Sequence, residues 1–110
     1  MKTIIATLCV DTTCKKFTPD NRYFSETVIL PNSYLKHTNF DILVTTNMVD
    51  YFNDFKTNPR VIITDLRDHC DDPLIARCYI NMNLKRIPIK LASQLDYDVV
   101  YHHDCDCFVV

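Results

Sequence analysis

The chain contains no glycine. Glycine lets a backbone enter left-handed conformations or come very close to a ligand. Its absence excludes the P-loop, the G-x-G-x-x-G dinucleotide fingerprint and the G-x-S-x-G nucleophile elbow, each of which needs glycine at fixed positions. Any phosphate binding must therefore rely on a metal ion, on Lys or Arg, or on a helix N-terminus. Turns fall to Asn, Asp and Pro, and they are expected at Pro19-Asp20-Asn21, Pro31-Asn32-Ser33 and Asn58-Pro59.

Glutamate is nearly missing too: Glu26 is the only one, so acidity resides almost wholly in Asp. The formal net charge is -2, which leaves no cationic excess to steer the chain to nucleic acid or to an anionic membrane surface. No apolar run approaches the roughly 20 residues of a membrane span. Met1-Lys2 followed by the apolar stretch Thr3 to Val10 mimics the start of a secretory signal. The stretch is short, however, and Asp11 follows with no small-residue cleavage site. The expectation is a cytoplasmic protein in a reducing compartment, with no nucleic-acid partner and no membrane span. Its six cysteines, Cys9, Cys14, Cys70, Cys78, Cys105 and Cys107, then act mostly as small buried hydrophobes and not as a disulfide framework.

The chain's 110 residues suit one domain with a real core. Thr3 to Val10 is a near-continuous apolar run, the mark of a strand covered on both faces. Asp41 to Thr46 and Arg60 to Asp65 read as second and third buried strands, and Val99 to His103 as a fourth. Between them lie a short helix around Ser33 to His37 and a helical stripe at Met48, Tyr51, Phe52 and Phe55. A further helix is expected to be capped by Asp72, with Pro73 at its first position. Its apolar stripe is Leu74, Ile75, Cys78, Tyr79 and Met82, and Pro88 interrupts before a short segment to Leu95. Strands alternating with helices predict an α/β fold: a mostly parallel open sheet with flanking helices and right-handed crossovers.

In such sheets ligands bind beyond the carboxyl ends of the strands. The residues to inspect are Asp11, Thr12 and Thr13, then Thr45, Thr46 and Asn47, then Asp65, and last Asp104 and Asp106. On an extended strand, side chains two apart share a face. Asp104 and Asp106 can thus converge on one hard cation, and carboxylate oxygens of this kind suit Mg²⁺ or Mn²⁺. His103, Cys105 and Cys107 share the opposite face and form a competing Zn²⁺ set. Burial of the two cysteines under the sheet is the simpler reading of that set. Elsewhere the bland readings are turn residues or caps for the threonines. Asp65 and Arg67 read as a surface ion pair, and Lys85, Arg86 and Lys90 as a solvated helix face.

The segment Tyr97-Asp98-Val99-Val100-Tyr101, followed by Asp104-Cys105-Asp106 and then Phe108 and Val109, resembles the metal-binding strand of nucleotide-sugar glycosyltransferases with the GT-A fold. The stretch from Ile80 to Leu91 is similar to the basic helix and Pro-containing turn that precede D-x-D in several such families. By motif the resemblance covers the residues after about Leu84, and in outline the whole chain. His102, His103 and Cys105 depart from the usual pattern.

The resemblance implies a Rossmann-like half domain that binds a nucleotide-sugar donor with Mn²⁺ or Mg²⁺ and transfers the sugar to an unknown acceptor. It implies that Val10, Asp11 and Thr12 line the nucleotide base and ribose. Asp104 would hold the ribose or the metal, Asp106 the metal, and Lys85 or Arg77 would approach the diphosphate. GT-A enzymes continue well beyond this strand, so the resemblance further implies an incomplete domain, completed by a longer chain or by another chain. The alternative is a non-catalytic α/β nucleotide-binding or protein-interaction module that uses an exposed sheet edge for oligomerisation or a partner.

Overall fold

The computed structural model describes residues 1–10, 28–71 and 82–103. Four strands form one all-parallel sheet in the order β3-β2-β1-β4. They are β1 (Thr3–Cys9), β2 (Asp41–Thr46), β3 (Val61–Asp65) and β4 (Val99–His102). Helix α1 (Ile29–His37) lies between β1 and β2 in the chain, and α2 (Arg86–Ser93) lies between β3 and β4. The α/β fold and all four strands agree with the sequence reading to within a residue.

Side-chain alternation divides the core between the two sheet faces. On one face, Ile5 and Cys9 of β1, Ile42 and Val44 of β2 and Val61 of β3 pack with Leu30 and Tyr34 of α1 and with Phe52 and Phe55. On the other, Ile4 and Ala6 of β1 and Leu43 of β2 pack with Ala92 of α2, flanked by Val100 of β4. Val10, Leu66 and the half-buried Leu8, Cys70 and Ile87 extend this second cluster toward the carboxyl end of the sheet. β1 is therefore covered on both faces and hydrogen-bonded on both sides, which is why its sequence is an unbroken apolar run.

Two prolines depart from their sequence-level roles. Pro31 was expected in a turn and Pro88 as a break, yet each sits in the first turn of a helix and is buried. The first turn has few intrahelical N–H bonds to lose, so a proline ring is tolerated there. The expected Met48 to Phe55 helix is instead a 3-10 segment, Val49–Phe55, kinked at Phe52, where φ is -100° and ψ 20°. Phe52 and Phe55 still reach the core, because helical spacing over so short a span does not separate 3-10 from α geometry. The Asn58-Pro59 turn is present, closed by Val61 N–H donating to Asn58 O at 3.1 Å. The Asp72-capped helix and the Pro19 turn lie outside the described residues.

The amino edge of the sheet is tied together by Arg60. Its guanidinium donates to Leu35 O (3.1 Å), Thr38 O (2.7 Å) and Phe40 O (2.7 Å), covering the carbonyls at the end of α1. A cation there also complements the negative end of the helix. Among the described residues no helix is long and apolar enough to cross a membrane.

Phe52 is almost fully buried between the sheet and its flanking elements. Phe52→Ala is expected to cost about 3–5 kcal/mol through lost burial and the cavity left behind. Asn53→Ala, one residue on and exposed, should stay within about 0.5 kcal/mol. Urea denaturation of the two variants checks the contrast.

Candidate functional site

The chain travels outward from β1 to β2 to β3 and then returns to the far side of β1 to form β4. Strand order therefore reverses between β1 and β4, with α1 packed on one face of the sheet and α2 on the other. Open α/β sheets bind ligands beyond the carboxyl ends of the strands where the order reverses in this way. Ala6 is opposite His102, and His103 N–H donates to Ala6 O at 3.1 Å. β4 thus ends level with Ala6, while β1 continues to Cys9.

The ends of β2 and β3 are occupied by bonds among their own residues. The Thr64 hydroxyl donates to Val44 O at 3.2 Å, and Thr45 Oγ1 lies 2.9 Å from Thr64 Oγ1 in the buried layer. Thr46 Oγ1 accepts from Met48 N–H at 3.0 Å, a local turn bond of the kind expected of it. Asp65 accepts from the backbone and side chain of Arg67, with a bidentate pair at 3.0 and 2.7 Å. The Arg67 hydrogen bonds hold the Asp65 carboxyl below its ordinary value. That pair is largely exposed and contributes about 1 kcal/mol or less.

At the β1–β4 end the sequence-predicted residues fall as follows. Val10 directly follows β1, and its side chain is buried with Leu66. Lys85 closes the 3-10 turn Met82–Lys85, which packs against β1; it is half-buried, while Arg86 and Lys90 are exposed. Asp11, Thr12, Asp104 and Asp106 lie outside the described residues, as do Arg77, Cys105 and Cys107. Among the described residues no group of three metal-ligating side chains comes together. Cys9 is buried and Cys70 half-buried.

His103 is held in place from two sides. Besides its backbone bond to β1, its Nδ1 lies 2.7 Å from the Tyr34 hydroxyl on α1, and the rings meet edge to face at 5.5 Å between centroids. Thr7, next in register on that face, is 2% exposed, and its hydroxyl has no partner among the described residues. Sequence reasoning missed Tyr34 and Thr7. Tyr34 follows Leu30 at core spacing, and nothing local links it to a histidine 69 residues later.

A cleft of about 520 Å³ opens at the opposite, amino edge of the sheet, beside Lys2, His37, Asn39, Phe40, Asp41 and Tyr97. None of the sequence-predicted site residues lines it. Here the Tyr97 hydroxyl donates to Asp41 Oδ2, whose partner oxygen lies 3.9 Å from Arg60 Nε. No protein-family model, curated protein or solved structure matches this chain.

Burial, reinforced by the hydrogen bond to the Asp41 carboxylate, pushes Tyr97 up from 10.0 to about 12. A raised folded-state value adds stability that is fully present below pH 10 and is lost as pH rises toward 12. An absorbance titration should show one tyrosine ionising late, and Tyr97→Phe should remove that late component together with its share of alkaline destabilisation. The mirror case is Asp65, whose stabilisation is present above its unfolded value of 3.8 and is lost as pH falls through the lower folded one. Asp65→Asn should therefore lower stability slightly at neutral pH and converge with wild type in acid, as read by urea denaturation at each pH.

Proposed function

We propose that this chain is the nucleotide-sugar-binding part of a metal-dependent glycosyltransferase of the GT-A type. Asp104 and Asp106 hold Mn²⁺ or Mg²⁺. The β1 end, at Val10, Asp11 and Thr12, lines the nucleotide, and Lys85 approaches the diphosphate. The observation that carries this reading is the reversal of strand order between β1 and β4. The strand that precedes Asp104-Cys105-Asp106 in the chain is the neighbour of the strand that precedes Asp11 and Thr12, so both candidate groups follow adjacent strands in sequence. The packing of Met82–Lys85 against β1 supports the part given to Lys85.

The division of labour follows from residue chemistry. Two carboxylates with no glycine-rich loop suit a site in which the cation, and not backbone N–H groups, meets the phosphates. When bound, the cation neutralises charge developing on the leaving nucleoside diphosphate. Lys85 adds a point charge from the side. The sugar and the acceptor are not specified by these residues.

Calorimetric titration tests the proposal. Mn²⁺ and a nucleoside diphosphate should each tighten binding of the other, by a coupling of about 1–3 kcal/mol. Asp106→Ala should abolish the coupling, and Cys105→Ser should leave it nearly intact. Equal diphosphate binding by wild type and Asp106→Ala, with or without Mn²⁺, would remove the case for the site and leave a non-catalytic interaction module as the better reading.

A further inference from the structure

The cleft at the amino edge of the sheet has the size of a small-molecule site, about 520 Å³. Two aromatic residues line it, one from each half of the core. Phe40 packs against the cluster under α1, and Tyr97 against the cluster under α2. Both are half-buried, so the core holds each ring while part of each residue borders the cleft.

The hydrogen-bonding groups around the cleft are one-sided. Thr38 O and Phe40 O each accept from Arg60 at 2.7 Å. Lys2 O accepts from Asp98 N–H at 2.9 Å and from Val99 N–H at 3.2 Å. The Asp41 carboxylate accepts from the Tyr97 hydroxyl at Oδ2, and Arg60 Nε lies 3.9 Å from its Oδ1. Asp98 accepts from Lys2 N–H at 2.8 Å. These acceptors are engaged, whereas cationic donors are in surplus. The Lys2 ammonium and the His37 ring are exposed on the lining, and neither has a hydrogen bond or ion pair among the described residues. One effect opposes an anion here: α1 ends beside the cleft, and the carbonyl end of a helix is negative. Arg60 offsets it by bonding to Leu35 O as well as to Thr38 O and Phe40 O. A concave wall with engaged acceptors and spare cationic donors favours an anionic ligand.

We propose that this cleft binds a small aromatic carboxylate, its charged group between Lys2 and His37 and its ring against Phe40 and Tyr97. A bare inorganic anion would gain only exposed charges, which are worth little in water. A planar apolar body adds burial against the two aromatic residues. A cationic ligand is disfavoured because Asp41 is already engaged by Tyr97 and Arg60. Such binding is independent of Asp104 and Asp106.

The test is a titration of the full chain, labelled with ¹⁵N, with benzoate, followed by amide NMR shifts. Benzoate should give saturable shifts centred on Lys2, Thr3, Asn39, Phe40, Asp41 and Tyr97, with a Kd on the order of 1 mM, the scale for a ligand of about ten non-hydrogen atoms. Acetate lacks the ring and benzyl alcohol lacks the charge, and each should bind at least about threefold more weakly. Lys2→Ala should weaken benzoate about threefold, and Lys2→Ala with His37→Ala about tenfold. Asp41→Asn removes the negative charge on the lining and should tighten benzoate about threefold. Arg86→Ala removes one positive charge beside Ile87, at the carboxyl end of the sheet, and should leave benzoate affinity unchanged.

No saturation by about 10 mM benzoate, or shifts centred away from the cleft, overturns the inference. So does benzylamine binding as tightly as benzoate, because the cleft would then select the ring and not the charge. Equal weakening in Lys2→Ala and Arg86→Ala would report net charge alone and overturn it too. Should Asp41→Asn fail to fold, Lys2 and His37 still decide the matter: both are exposed, and unchanged benzoate affinity in their double variant overturns the inference by itself.

Discussion

Parallel strands cannot be joined by a tight hairpin; each pair needs a crossover, and crossovers keep one hand. That constraint shapes this protein. From β1 through β2 to β3 the chain moves one way across the sheet, so α1 and the 3-10 segment Val49–Phe55 cover the same face. The return to β4 moves the opposite way, and with the same hand it must pass over the other face, where α2 packs through Ala92. β1 is left with neighbours on both sides and cover on both faces. The strand order therefore reverses at β1.

The two edges of the sheet serve different ends. At the amino edge Arg60, Asp41 and Tyr97 tie together α1, β2, β3 and the approach to β4, while Lys2 N–H donates to Asp98 Oδ2 at 2.8 Å. At the carboxyl edge Thr45, Thr46, Thr64 and Asp65 bond among themselves and their neighbours. Of the carboxyl edge, the described residues leave the β1–β4 end outside this set of bonds. His103, the last described residue, is bonded to both β1 and α1.

The strands were legible because burial on both faces leaves a plain mark, a continuous run of β-branched and aliphatic residues such as Ile42-Leu43-Val44 or Val61-Ile62-Ile63. Short helices were harder to read. Pro31 and Pro88 have the composition of turns, and only the helix start around each, with its N–H bonds not needed, makes them compatible with α geometry. Met48, Tyr51, Phe52 and Phe55 announce an apolar face without announcing the kink at Phe52. Asp104 and Asp106 are proposed from spacing alone and lie outside the described residues, while Thr46 was legible from its turn chemistry. Thr45 reads the same as Thr46 in sequence, yet alternation turns it inward to Thr64.

The order of buried runs and helical stripes determined by itself that this chain builds a parallel α/β sheet, because periodicity and apolar content are local properties. The lack of glycine determined by itself which phosphate-binding loops the protein does not have. Strand order is different. Nothing in the composition of β4 says that it pairs with β1 and not with the edge strand β3, since both are short apolar runs. That choice is made by which helix covers which face. The meeting of Tyr34 with His103 is likewise a product of the tertiary structure alone: a hydrogen bond across 69 residues exists only once the sheet and α1 have been placed against each other.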